Sequence, residues 1–300
     1  MDYNKKNLVK SPLNYAGGKY KLLDKILPHF PNEIETFIDL FTGGANVGVN
    51  INADKINCLD VNPHVIKVLN WFKATNPEKV LSEVESVIEE YNLTNTFRNG
   101  YEYYGTNSNK GVAKVNKENY YNLKADFNMG RKDSATLYTV ILYAFNNMIK
   151  FNKQGDFNTA VNKRDLNGNV VKNILRFVET IHNKNIRFTA DDFRNLNVNK
   201  LNDKSLVFCD PPYLVTETSY NNIWTEKEEQ DLLKFLDDLN QRGIKFVLTN
   251  VLNKGEKRNE LLINWSEKYN TYDLHNNYNN CVYNKSDKDV EYTEVLIKNF

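Results

Sequence analysis

Short apolar runs that read as buried strands stand near both ends of this 300-residue chain and are missing from its middle. "TFIDLF" (Thr36–Phe41) and "INCLD" (Ile56–Asp60) come first, each followed by turn residues and then a helical pattern. The alternation resumes with "IRFTADDF" (Ile186–Phe193), "SLVFCD" (Ser205–Asp210), "IKFVLTN" (Ile244–Asn250) and "EVLIKNF" (Glu294–Phe300). Strand-like runs separated by helical ones predict an α/β fold on a parallel sheet. A helix over Thr225–Gln241 opens on a capping box, Thr225 with Glu228 three residues on. Between the two strand-bearing ends the chain becomes a mixture of helices and loops dense in Tyr, Asn and Lys, such as "NGYEYYGTNSNKG" and "FNNMIKFNKQGDFN". The expected organisation is a discontinuous sheet domain, residues 1–75 and 185–300, with a second, mostly helical domain inserted at 76–184. Within the insert, Ala135–Ile149 has the apolar spacing of a helix.

Composition narrows the function classes. No apolar run approaches the roughly 18 residues that a spanning helix needs, and Met1–Lys10 has no charged-then-apolar leader, so a cytosolic protein is expected. Cys58, Cys209 and Cys281 are isolated, without Cys-x-x-Cys or a His pair, which predicts reduced thiols and neither zinc nor another metal. A net charge of +1 gives no global basic field, so a polyanion would have to be met by a local patch. One such patch is legible: Lys150, Lys153, Lys163, Arg164, Lys172 and Arg176 stand against only Asp156 and Asp165, interleaved with Phe151, Phe157 and several Asn. Taken alone it suits a solvated polar face as well as a nucleic-acid surface.

The segment most specific to a chemistry is "LVFCDPPYLV" (Leu206–Val215), a buried strand running straight into Asp-Pro-Pro-Tyr. A turn alone would explain the prolines. Ligands of open α/β sheets, however, bind beyond the carboxyl ends of strands, and Asp210 is the first residue past such an end. Two prolines fix φ and carry no N–H, so the carbonyls of Asp210 and Pro211 stand beside the carboxylate without a competing local donor. Acceptors so placed can take both hydrogens of an exocyclic amino group and draw its lone pair out of conjugation, while Tyr213 offers a face for a planar heterocycle. "DLFTGGANVGV" (Asp39–Val49) is a strand, a Gly-Gly turn and an apolar run, an arrangement that lets backbone approach a nucleoside cofactor. Asp60 ends the next strand 17 residues past Gly43, near the spacing at which an acidic side chain reaches ribose hydroxyls, although an Asx-turn or N-cap before Asn62-Pro63 fits it too. "NYAGGKYKLL" (Asn14–Leu23) has the Gly-Lys of a phosphate loop but neither its first glycine nor its Ser/Thr.

In this order the motifs resemble those of the Dam-like, alpha-group family of DNA adenine-N6 methyltransferases. "NYAGGKYKLL" is similar to the family's N-terminal aromatic-Ala-Gly-Gly-Lys motif, "DLFTGGANV" to its glycine motif, "CLDVNPHVI" to its acidic ribose-binding motif, "ADDF" to the motif bordering the cofactor adenine, and "DPPY" to its catalytic motif. "FNNMIKFNKQGDFN" looks like its recognition signature, and "SYNNIW" and "TEVLIKNF" like its later motifs. The resemblance implies a Rossmann-like S-adenosylmethionine-dependent sheet with an inserted helical DNA-recognition domain. It implies that Tyr15, Lys19, Asp60 and Asp210 contact S-adenosylmethionine, Asp192 and Phe193 lie near its adenine, and Ala16, Gly17, Gly18, Asp39, Phe41, Gly43 and Gly44 complete that site. Asp210, Pro211, Pro212 and Tyr213 would hold a target adenine flipped out of the duplex. Asn147, Lys150, Asn152, Lys153, Asn158, Lys163 and Arg164 would contact double-stranded DNA, the cations on phosphates and the amides on base edges. Two departures from the family pattern stand out: Ala45 follows Gly43-Gly44 where Phe-x-Gly-x-Gly is frequent, and Tyr15 stands where many members have Trp.

The implied activity is that of a site-specific adenine DNA-methyltransferase, transferring a methyl group to adenine N6 without a metal or a covalent enzyme intermediate. A monomer in the cytoplasm of a bacterial cell or phage-infected host is expected, with a cognate restriction endonuclease as an optional partner and no membrane. Cytosine-C5 methylation would need a Pro-Cys nucleophile and a zinc deaminase His-x-Glu with Pro-Cys-x-x-Cys, none of which occurs. Methylation of cytosine N4 or of RNA adenine, and a non-catalytic DNA-binding role on the same fold, stay open.

Overall fold

The computed structural model describes residues 7–15, 17–216, 224–274 and 292–300. Among them the strands β1 (Thr36–Asp39), β2 (Lys55–Asp60), β3 (Ile186–Ala190), β4 (Ser205–Cys209), β5 (Lys245–Lys254), β6 (Lys257–Arg258), β7 (Asn270–Asp273) and β8 (Tyr292–Lys298) form one sheet. Its order is β3-β2-β1-β4-β5-β8-β7, with β6 paired to β5. The pairs from β3 to β5 are parallel, as the strand–helix alternation predicts. Beyond β5 the expectation of a parallel sheet needs correction, because β8 runs antiparallel to both β5 and β7. Strand direction leaves no mark on a run of residues buried on both faces, so the side-chain pattern alone does not reveal it.

Both faces of the sheet are covered, and the pleat sorts the apolar residues between them. Phe37, Leu206, Phe208, Val247 and Leu296 belong to one core cluster, whereas their chain neighbours Ile38, Val207, Cys209, Phe246, Leu248, Val295 and Ile297 belong to another. The second cluster is closed by α8 (Glu226–Gln241) and α9 (Glu260–Ser266). Thr225 caps α8 in a capping box with Glu228, the start the sequence predicts.

The first face carries α1 (Leu23–Ile26), α2 (Pro63–Ala74), α3 (Pro77–Glu90), α5 (Ala113–Met129), α6 (Ser134–Tyr143) and α7 (Gly168–His182), with the short α4 (Thr96–Asn99) against α7 and burying no residue of its own. All of these but α1 lie between β2 and β3, and buried residues of α2, α3, α5, α6 and α7 share one apolar cluster with Phe37 and Ile56 of the sheet. The helix expected over Ala135–Ile149 is shorter, ending at Tyr143. Asn146 and Asn147 there both take φ near 53°, a left-handed conformation that ends helical pairing. After β1 the expected helical pattern yields only a 3₁₀ turn, Gly48–Asn50. Gly43, Gly44 and Gly48 crowd that stretch, and each glycine disfavours a helix by about 1 kcal/mol relative to alanine. No helix among the described residues is long and apolar enough to cross a membrane.

Candidate active site

β1 and β4 are neighbours, with Asp39 in register with Phe208, yet the chain leaves them in opposite directions across the sheet: β1 leads to β2 and β3, β4 to β5. Connections that part in this way leave a crevice at the carboxyl ends of the two strands. A cavity of about 530 Å³ opens there. Tyr15, Gly17, Gly18, Lys19, Asp39, Phe41, Gly43, Gly44, Asp60, Asp192, Phe193, Asp210, Pro211, Pro212 and Tyr213 all line it. Of the residues singled out in the sequence, Ala16, Cys281 and most of "SYNNIW" lie outside the described residues.

The glycine turn after β1 and the "NYAGGK" stretch make one wall. Gly43 takes φ 46°, and a Cβ there would stand 2.8 Å from Cδ1 of Tyr15; a Cβ on Gly44 would stand 2.7 Å from the Leu13 carbonyl oxygen. Two backbone segments far apart in sequence therefore touch through hydrogen-sized side chains. Asn46 ties them further, its Oδ1 accepting from the Ser11 N–H at 3.0 Å. Ala45, where the chain departs from the family pattern, takes φ 60° and so holds the turn in a left-handed conformation without glycine.

Carboxylates dominate the floor. Asp60 accepts the Gly43 N–H on one oxygen and the Asn62 N–H on the other, both at 2.9 Å, while the N-cap of α2 is Asn62. The local Asx-turn and the cavity-lining position thus coexist in Asp60, since each carboxylate oxygen keeps a second lone pair. Burial raises the Asp60 pKa against those two N–H bonds. Asp39 is 1% exposed, and burial pushes its carboxyl up to about 7, with the Thr42 hydroxyl bond opposing and Asp210 adding to the rise. Its Oδ2 accepts from Thr42 Oγ1 at 3.0 Å, the Gly48 N–H also steadies the carboxylate, and Oδ1 meets no hydrogen-bonding side chain among the described residues.

A carboxyl whose folded pKa lies above its unfolded value binds its proton more tightly when folded, so stability falls as pH rises through that interval. For Asp39 the interval runs from 3.8 to about 7. Asp39→Asn is expected to remove this loss. The melting temperature of the variant should gain on the wild type as pH rises to 7 without cofactor, and a pH-independent difference between the two would refute the assignment.

Beyond β4 the catalytic candidates form a connected cluster. The Lys19 ammonium, 3% exposed, lies 2.7 Å from Asp210 Oδ1 and 3.8 Å from Glu294 Oε1, and donates to the Gly17 carbonyl at 2.8 Å. Burial alone would lower the Lys19 pKa, but the Asp210 and Glu294 carboxylates outweigh it and hold it above the ordinary value. Tyr213 Oη stands 2.8 Å from Asp210 Oδ1, and Thr249 Oγ1 of β5 stands 2.9 Å from the same oxygen. Ammonium, phenol and threonine hydroxyl all converge on Oδ1, which leaves Oδ2 outside those bonds. Where the sequence resemblance assigns Lys19 to the cofactor, the structure seats its charge directly against the Asp-Pro-Pro-Tyr carboxylate. Thr249 and Glu294 escaped the sequence reading because neither carries a local motif; "TEVLIKNF" marks the strand but not the role of its glutamate.

Aromatic rings line the opposite side. Phe41 packs on Phe193 (centroids 5.6 Å apart) and edge-on to Trp224 (5.4 Å). Trp224 was not among the expected site residues; its indole N–H donates to the buried Glu229 at 2.8 Å, which Asn250 and Asn259 also meet. Asp192 caps the short turn that carries Phe193 and pairs with Arg194 at 3.0 Å.

The basic segment folds as an irregular hairpin, with Ala144 bridged to Val161 and Phe151 to Phe157. Lys150, Lys153, Asn158, Lys163 and Arg164 are exposed on and just after it. Asn147 and Asn152 are engaged locally: Asn147 donates to the Ile141 and Leu142 carbonyls at the end of α6, and Asn152 accepts the Gln154 and Asp156 N–H groups. Tyr120, Lys124 and Asn128 of α5 bind the hairpin's Thr159 and Phe157 carbonyls. Lys114, Lys117 and Tyr121 of the same helix are exposed, at a helical spacing. His64, two residues past the α2 cap, stacks on Phe151 with centroids 3.9 Å apart, joining the hairpin to the strand end that bears Asp60.

Comparison with known proteins agrees with this geometry. The family model for D12 class N6 adenine-specific DNA methyltransferases matches residues 15–280. The type II methyltransferase M.FokI of Planomicrobium okeanokoites is 39% identical over 97% of this chain and 43% of its own length. The modification methylase StsI of Streptococcus sanguinis is 35% identical over 98% of this chain and 43% of its own. The DNA adenine methylase of Escherichia coli (strain K12) is 25% identical over 79% of both. The chain thus spans less than half the length of the first two relatives.

Proposed function

Because the chain belongs to the D12 class of N6 adenine-specific DNA methyltransferases, we propose that it transfers a methyl group from S-adenosylmethionine to the N6 amino group of an adenine flipped out of double-stranded DNA. The observation that carries this reading is Asp210, whose Oδ1 is taken by Lys19, Tyr213 and Thr249 while Oδ2 is left for another donor at the mouth of the cavity.

The residues present suit the cofactor. A crevice of about 530 Å³ falls within the size of small-ligand sites, its glycine wall lets backbone come close, and its carboxylates outnumber its cations. Bound S-adenosylmethionine supplies a methyl group activated by a sulfonium charge. Asp60 would accept from the ribose hydroxyls, Phe193 and Phe41 would flank the adenine, and the buried Asp39 would face the cofactor's positive charge. Asp210 Oδ2 and the Pro211 carbonyl would each take one hydrogen of the target amine, which frees its lone pair for in-line attack. Flipping costs a few kcal/mol of unstacking, which the enclosed pocket beside Tyr213 offsets. Positioning and aimed acceptors account for such a reaction without a covalent enzyme intermediate.

The test is direct. Purified protein with methyl-labelled S-adenosylmethionine and DNA of diverse sequence is expected to yield labelled N6-methyladenine. Label on cytosine N4, or DNA binding with no transfer at all, would each refute the reading.

The exposed Lys150, Lys153, Lys163 and Arg164 are proposed to meet DNA phosphates. Each phosphate contact adds about 0.9 to the slope of log affinity against log salt. Replacing all four by glutamine should therefore flatten that slope by up to about 3–4 and weaken binding to all sequences alike. An unchanged slope would place the DNA elsewhere. The relatives named modification methylase and type II methyltransferase support a role in DNA modification, for which a cognate restriction endonuclease in the same bacterial cytoplasm is proposed as the counterpart.

A further inference from the structure

Glu294 lies in the middle of the sheet, on β8 between β5 and β7, with its side chain 0% exposed. Two residues on, Leu296 points to the same face and joins the apolar core, so a hydrophobic residue is what this position would ordinarily hold. A carboxylate sits there instead. Its Oε1 is 3.1 Å from the Tyr213 hydroxyl and 3.8 Å from the Lys19 ammonium, while Oε2 is buried with no hydrogen-bond partner among the described residues. A buried polar atom left unpaired costs free energy, so stability alone does not favour a glutamate over a leucine at this position.

Its neighbours are the two groups that also donate to Asp210 Oδ1. Tyr213 has a single hydroxyl hydrogen and stands between the two carboxylates, and Lys19 has one charge to divide between them. Without Glu294 the ammonium and the phenol would be free to settle on both oxygens of Asp210. With it they are held to one side, and part of the lysine charge is drawn away from Asp210.

We propose that Glu294 is a positioning residue for methyl transfer, holding Lys19 and Tyr213 against Asp210 Oδ1 so that Oδ2 remains available for the target amine. This rests on the function proposed above.

Glu294→Gln keeps the shape and an acceptor for Tyr213 but removes the charge that holds Lys19. A misplacement of about 1 Å in a reacting group costs about 10²-fold in rate. The variant is expected to lose methyl transfer in single turnover by about that factor, with cofactor affinity by calorimetry near wild type and a melting temperature no lower than wild type. A merely structural glutamate would give the reverse, a lower melting temperature with an unchanged rate per folded molecule, and that result overturns the proposal. The wild-type reaction run alongside tests the function itself. Should the wild type transfer nothing to DNA, crystal structures of both proteins decide the inference: Lys19 and Tyr213 shifted on Asp210 in the variant sustain it, and superimposable side chains overturn it.

Discussion

Replacing Asp210 by alanine is expected to abolish methyl transfer while leaving the protein folded and able to bind its cofactor. The carboxylate is the charged acceptor proposed for the amine, beside the Pro211 carbonyl, and loss of one aimed polar group at a reacting centre costs about 10²–10³-fold. Removing an acceptor whose charge develops its full effect only as the amine rehybridises should act on the chemical step rather than on affinity. Folding should survive, because the side chain is 14% exposed and Lys19 keeps Glu294 and the Gly17 carbonyl as partners. Asp210→Asn, which retains a neutral acceptor in the same shape, should fall between the two. Single-turnover transfer from labelled cofactor measures the loss, and calorimetry with circular dichroism shows what is kept. Residual activity within tenfold of wild type would remove Asp210 from the role assigned to it.

Lys19→Met should have the second large effect, on stability and rate together. The lysine is the cation enclosed with Asp210 and Glu294, and stripping one partner from a buried ion pair is destabilising by roughly 3–5 kcal/mol. The pH dependence follows from Glu294. Burial already pushes its carboxyl up to about 6 although Lys19 pulls it down, so without the ammonium it rises further. More of Glu294 then stays protonated near neutral pH than in the wild type. Raising the pH removes that proton, and with it a donor beside Asp210, so the variant's rate should climb with pH more steeply than that of the wild type. A profile parallel to wild type would refute this account. If Lys19 acts instead by holding the cofactor, as the motif resemblance implies, calorimetry will show lost affinity with the rate per bound complex preserved.

The sequence alone marked which apolar runs become the parallel strands and most of the residues that line the cavity beyond them. Apolar runs of strand length specify the inner parallel strands β1, β4 and β5 because a strand buried on both faces must be apolar along most of its length, whereas the edge strand β3 alternates buried and exposed residues. Asp-Pro-Pro-Tyr and the Gly-Gly turn are legible for a related reason: fixed φ and absent side chains are local properties that a few letters encode. The antiparallel β8 was not legible as such, since reversing a strand leaves its composition unchanged. Nor were Asn147 and Asn152 distinguishable from their exposed neighbours, because whether an amide faces solvent or closes a turn depends on the chain's path.

Tertiary structure decided the rest through contact between segments that are remote in sequence. Only the adjacency of β1, β4, β5 and β8 brings Lys19, Asp210, Thr249 and Glu294 within reach of one another, and only there does a lysine from an apparent phosphate loop become the partner of the Asp-Pro-Pro-Tyr carboxylate. Glu294 makes the distinction sharpest. As a letter it is one charged residue before an apolar run; in the fold it is a buried charge, and burial is what makes its choice of partners energetically consequential.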